Sequence, residues 1–174
     1  DLANMKPGER VLIHAAAGGV GMAAVQIAEL GGAEVFGTAS QPKWDKLREM
    51  GMNESHIGSS RDLEFVGGFQ EATAGEGVDI VLNALAREFV DASFSLLRKG
   101  GRFLEMGKTD VRDEAWLSEH QPGLYYNAFD LMEAGYDRIQ EMLASLSGLF
   151  KDGKLKPLPL LSFPMDRLSQ AFRF

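Results

Sequence analysis

The stretch "HAAAGGVGMAAVQIA", His14 to Ala28, follows directly on the apolar run Val11, Leu12, Ile13 and carries no acidic or basic side chain apart from that first histidine. A strand that ends in a turn of alanines and glycines and continues into a helix is also an anion site. The first N–H groups of the helix are unpaired, and its macrodipole is positive there. In the dinucleotide pattern the first small residue makes a tight turn, the second lets main chain approach the pyrophosphate, and the third lets helix and strand pack closely. Those places fall at Ala16, Gly18 and Gly21, so the pattern is A-x-G-x-x-G, a variant of the standard one. Gly19 and Val20 open the helix and complete the bare surface. Tightly packed turns that bind nothing use the same small residues, so the rest of the chain has to narrow the choice.

Apolar runs of strand length alternate with helical patterns, which predicts βαβ units and a Rossmann-type doubly wound parallel sheet of about six strands. Strands are expected at 10–14, 34–38, 56–58, 79–83, 102–106 and 124–129. Gly19 to Leu30 reads as a helix with Val20, Ala24, Ile27 and Ala28 on one face, ending at Gly31-Gly32. Pro42 suits the first turn of a helix reaching Met50, with Ser40 as its cap. Further helices fit 63–72, 89–97 and 138–150, with Phe89, Phe94, Leu96 and Leu97 in the core. Lys108 to Pro122 is polar and breaks the alternation, so an irregular loop with at most one helical turn is expected. After Asp152-Gly153 a Pro-rich stretch and a short amphipathic helix read as an extension, 153–174, to a domain of residues 1–152.

Composition excludes several classes of chemistry. The 174 residues include no cysteine, so disulfides, thiolate metal sites and cysteine nucleophiles are ruled out. His14, His56 and His120 have no metal-ligand spacing, and no metal is expected; His14 reads as a packed strand-end residue. A net charge of −7 argues against a broad nucleic-acid or anionic-membrane surface, though not against a local phosphate pocket. No apolar run nears the roughly 20 residues that cross a bilayer, and a cytoplasmic setting is expected. The abrupt termini read as those of an excised piece.

The second strand bears on the cofactor. Folds that bind NAD place an acid at the end of this strand for the ribose hydroxyls. Here "EVFGTASQPKWDKL" offers Thr38, Ser40 and Lys43 instead. Hydroxyls and an ammonium suit a 2′-phosphate, which favours NADPH over NADH. The missing acid also argues against an S-adenosylmethionine methyltransferase. Ser60 and Arg61, after the third strand, complete the expected phosphate clamp. Lys108 follows Gly107 at the carboxyl end of a strand, where ligands of open α/β sheets bind, and a lysine there can act as a proton donor. Asp130 precedes the start of a helix and reads as its N-cap.

Together "HAAAGGVGMAAVQIA", "SQPKWDKL", "GVDIVLNALAREFVDAS", "GGRFLEMGKTDVRD" and "AFRF" resemble the enoyl reductase domains of polyketide synthases, in the medium-chain dehydrogenase/reductase superfamily. The resemblance spans nearly the whole chain. It implies NADPH-dependent reduction of the α,β double bond of an enoyl thioester on an acyl carrier protein, during polyketide or fatty-acid chain extension. It also implies roles near the nicotinamide for Lys108 and Asp130 as proton-donating or enolate-stabilising groups. Asn83, Ala84, Leu85 and Gly107 would stand at the nicotinamide end, and neighbouring synthase domains would be partners.

Complete members begin with a β-rich substrate barrel. The chain is therefore expected to be the cofactor-binding half, weakly active or inactive alone, with its last residues returning to that barrel. The apolar strand 124–129 is expected to form a homodimer through the sheet edge. The competing readings are a free-standing quinone or enoyl-CoA reductase and a nonenzymatic nucleotide-binding scaffold module.

Overall fold

The structure is a computed structural model, and it describes residues 2–173. Six strands form one wholly parallel sheet: β1 (Arg10–Ile13), β2 (Glu34–Ala39), β3 (Ile57–Ser59), β4 (Val78–Asn83), β5 (Leu97–Glu105) and β6 (Tyr125–Ala128). Their order is β3-β2-β1-β4-β5-β6. The sheet is thus doubly wound, and its connections diverge between β1 and β4. At such a switch point the loops on either side separate and leave a crevice outside the strand carboxyl ends.

The inner strands β1, β2 and β4 are apolar on both faces because helices cover both. The alternation of β1 shows this: Val11 and Ile13 enter one core with Val25, Ala28 and Leu47, and Leu12 enters the other with Phe36, Phe69 and Phe103. The first core lies under α1 (Gly19–Leu30) and α2 (Trp44–Glu49), and the second under α3 (Glu64–Ala72), α4 (Glu88–Leu96) and α5 (Glu114–His120). The second core is aromatic, with the Phe94 and Phe103 ring centres 4.4 Å apart.

Several expectations need correcting. The face that α1 buries is Gly21, Val25 and Ala28, while Val20 and Ile27 are exposed. Gly21 fixes this stripe, because a Cβ there would run into the carbonyl of Ala15 and the Cα of Ala16. A side chain at Gly21 would push the helix off the turn. Ser40 stands at the N-cap of the short 3₁₀ turn Gln41–Lys43, but its hydroxyl makes no cap bond. The third strand starts one residue later than expected, at Ile57, and His56 stacks on Phe36 at 4.1 Å. The segment after Lys108 holds the seven-residue helix α5, capped by Asp113 accepting from Trp116 N at 2.8 Å. Leu97 opens β5 directly after α4, with no loop between them.

Beyond β6, the 3₁₀ turn Leu131–Ala134 leads through Gly135 (φ +77°) into α6 (Tyr136–Lys151), which has no buried residue. The chain then runs back along α1. Leu155 is buried, and Lys156 N donates to Gln26 Oε1 at 2.9 Å. It ends in the 3₁₀ turn Met165–Arg167 and the one-turn helix α7 (Leu168–Ala171).

Candidate cofactor and active site

The turn after β1 is built to be bare. Ala15 takes a positive φ of +52° and its carbonyl accepts from Gly18 N at 2.8 Å, which closes the turn. Ala16 stands where the standard pattern has glycine. It is fully buried, bonds from its N to Thr38 O at 2.8 Å, and places its methyl group where a side chain on Gly37 would lie. A glycine on β2 thus makes room for the alanine on the turn. Gly18 is the N-cap of α1, with no side-chain cap and no acid in the first turn. The first N–H groups, from Gly19 onward, therefore face the crevice without a competing carboxylate. Space is open around Gly19.

The ends of β2 and β3 lie side by side, with Ser60 N donating to Ala39 O at 3.0 Å. Ser40 and Ser60 are half-buried, whereas Lys43 and Arg61 are exposed. The neighbouring cations Lys46 and Arg48 are paired with Glu49, Asp45 and Glu54, but Lys43 and Arg61 have no ion pair among the described residues. Asp62 and Glu64 follow Arg61 directly in the chain, so any phosphate contact here rests on Lys43 and Arg61 individually.

Thr38 does not belong with that group. It is fully buried, and its hydroxyl lies 2.8 Å from His14 Nδ1. His14 Nε2 in turn lies 2.7 Å from Ser93 Oγ. The Ser93 proton goes to Phe89 O at 2.6 Å, so Ser93 accepts from Nε2–H, and Nδ1 accepts from Thr38. With its hydroxyl engaged inward, Thr38 has no donor for a phosphate. Burial pushes the His14 pKa down to about 3, so this strand-end histidine is a neutral structural link.

On the other side of the switch point, Asn83 at the end of β4 is fully buried and accepts from Leu85 N at 3.2 Å, which folds the loop back. Leu85 is half-buried and Ala84 exposed. Sequence reasoning missed Glu105, a fully buried acid at the end of β5 that bonds both Asn83 and Gly107. The available signal was an acid at the end of an otherwise apolar strand, "RFLEM". Lys108 and Asp130 come from different loops and meet: Lys108 Nζ is 2.9 Å from Asp130 Oδ2 and 3.4 Å from Phe129 O. Asp130 also forms a capping box with Glu133. The Lys108 ammonium, together with Met132 N–H, holds the Asp130 carboxyl below its usual range.

An open, doubly wound parallel sheet with a bare turn at its switch point is the architecture of a dinucleotide-binding domain. Residues 19–143 match the zinc-binding dehydrogenase family. The chain is 58% identical over 173 residues to pikromycin polyketide synthase component PikAII of Streptomyces venezuelae, spanning 99% of this chain and 5% of that protein. It is similar to the crystal structure of the CurK enoyl reductase, with TM-score 0.89 and 46% identity over 98% of this chain and 52% of that one. It is also similar to the nucleotide-binding subdomain of the enoylreductase domain of PpsC from Mycobacterium tuberculosis, with TM-score 0.78, 37% identity and 90% of each chain covered. The chain belongs to the zinc-binding dehydrogenase family and, within it, to the nucleotide-binding part of polyketide synthase enoyl reductase domains.

The zinc of the family's name does not fit these residues. There is no cysteine, and among the described residues no group of His, Asp and Glu is arranged to hold a metal ion. None of the described helices is long and apolar enough to cross a membrane.

Proposed function

We propose that the chain is the NADPH-binding half of an enoyl reductase that reduces the α,β double bond of an acyl thioester carried by an acyl carrier protein. The observation that carries this reading is the pairing of a bare, acid-free helix N-terminus with Lys43 and Arg61, which follow the ends of β2 and β3 and have no ion pair among the described residues. The turn Ala16–Gly21 takes the pyrophosphate through the N–H groups of Gly19 and Val20. Ser40, Lys43, Ser60 and Arg61 take the 2′-phosphate. The loops at Asn83–Leu85 and Gly107 receive the nicotinamide end.

The cofactor, when bound, supplies a hydride to the substrate's β-carbon. Negative charge then develops on the thioester oxygen, and a proton must reach the α-carbon. A carboxyl group held below its usual range is ionised at neutral pH and has no proton to give. Lys108 is therefore the proton-bearing member of the pair, and Asp130 orients it.

The whole enzyme's substrates and partners lie outside this stretch. The adjoining part of the domain would supply the substrate-binding surface, with residues 153–174 leading back to it and the other synthase domains as neighbours. The edge strand β6 would pair with a second copy. The test is turnover of a short enoyl-pantetheine by the synthase module containing this sequence. NADPH oxidation coupled to formation of the saturated thioester supports the reading, and a folded module that oxidises no NADPH overturns it.

A further inference from the structure

Glu105 ends β5 with 1% of its surface exposed, and the chemistry above makes no use of it. Its two oxygens serve different loops. Oε2 accepts from Asn83 Nδ2 at 2.6 Å, and Oε1 accepts from Gly107 N at 2.5 Å. Asn83 passes the constraint on, because the same Nδ2 donates to Leu85 O at 2.8 Å while Oδ1 accepts from Leu85 N. A continuous chain of hydrogen bonds thus runs from the main chain of Leu85 through Asn83 and Glu105 to the main chain of Gly107, and Lys108 is the next residue.

A leucine at this position would bury at lower cost. What only a carboxylate supplies is two strong acceptors on one rigid group, both facing donors. Gly107 fits the same reading, since a Cβ there would lie 2.6 Å from Glu105 Oε1. Burial and Asp110 push the Glu105 carboxyl up, against Asn83, Gly107 and Arg112, which hold it down.

We propose that Glu105 is a positioning residue. It ties the loop after β4 to the loop after β5 and so fixes Leu85 and Lys108 relative to each other at the nicotinamide end of the crevice. The inference deepens the function proposed above and rests on it for the identity of the ligand, but not for the coupling of the two loops.

The experiment compares the 174-residue chain with Glu105→Gln and Gly107→Ala, titrated with NADPH and with adenosine 2′,5′-bisphosphate, which lacks the nicotinamide. Amide hydrogen exchange is followed at Leu85 and Gly107. In Glu105→Gln, one oxygen becomes an NH₂ facing a donor. NADPH affinity should fall by about tenfold or more, as loss of a charge-assisted hydrogen bond implies. Affinity for the bisphosphate should stay within about twofold. Protection of Leu85 and Gly107 should drop together, while β1 and α1 stay protected.

Equal losses for both ligands, unchanged NADPH affinity, or unchanged exchange at Leu85 would each overturn the positioning role. A wild-type chain that binds neither nucleotide would count against the proposed function instead, and the exchange data alone would then decide the coupling.

Discussion

Lys108 Nζ lies 2.9 Å from Asp130 Oδ2, a contact that joins the carboxyl ends of β5 and β6. Both side chains are substantially exposed, so the pair contributes little to stability. Its consequence is to orient the lysine. In the complete enzyme Lys108→Ala should lower turnover by about 10²- to 10⁴-fold while NADPH affinity changes by about twofold or less. Lys108→Arg keeps the charge but gives up its proton poorly, and should rescue little. Turnover equal to wild type in Lys108→Ala would remove it from the reaction.

The same pair predicts a titration. Asp130 is held below its ordinary value of 3.8, first by Lys108 and then by Met132 N–H. A depressed carboxylate contributes its stability above the ordinary value and loses it as pH falls through the folded one. Lys108→Ala should move the Asp130 titration, followed by NMR, upward toward 3.8. No movement would show that the contact is absent in solution.

His14 sets a second pH dependence. Its pKa is lowered from 6.5 to about 3 by burial, so the unfolded chain takes up a proton that the folded chain refuses. Stability is fully present above pH 6.5 and declines as pH falls toward 3, by roughly 1.4 kcal/mol per unit and of order 5 kcal/mol in all. His14→Phe leaves the Thr38 hydroxyl without its acceptor and should cost about 1–3 kcal/mol at neutral pH. Urea unfolding of that variant should nevertheless be flatter than wild type between pH 6.5 and 5. Parallel profiles would contradict the neutral-histidine assignment.

The glycines of the turn separate by role. Gly21→Ala forces a methyl group into the main chain of Ala15 and Ala16 and should cost about 1–3 kcal/mol. Gly19→Ala meets open space at the start of α1 and should leave stability unchanged or raised by up to about 1 kcal/mol. Thermal melts of the two variants distinguish these cases.

An edge strand left unpaired is a template for association. Sedimentation should find a dimer, and Tyr125→Lys on β6 should make it monomeric without altering NADPH affinity. A wild-type monomer at high concentration would rule out pairing through this edge.

The inner strands were legible because a parallel sheet buries both faces, so they read as apolar runs such as Val11–Ile13 or Ile80–Leu82, whereas the first residues of β5, Arg98 to Gly100, are polar or small and exposed and did not read as strand. The buried stripe of α1 was not legible, because apolar residues surround the helix and only the contact of Gly21 with the turn orients it. Helix α5 was obscured by the polar composition around it, although the cap at Asp113 carried a local signal. In the site, the glycine turn could be read from residue types in order, and the phosphate role of Ser40, Lys43, Ser60 and Arg61 is a proposal that rests on the same reading. Thr38 was misassigned because its partner His14 is 24 residues away, and Glu105 was missed because its bond to Asn83 spans 22. Contacts of that range are made by strand register, which residue order does not show.

The central claim is selective binding of NADPH through the bare turn and through Ser40, Lys43, Ser60 and Arg61. Calorimetric titration of the 174-residue chain with NADPH and with NADH tests it most directly. The account predicts much tighter binding of NADPH, with a loss of about tenfold to a hundredfold when Ser40 and Lys43 are both replaced by alanine. Equal affinities for the two nucleotides, or NADPH binding indifferent to that double substitution, would contradict it.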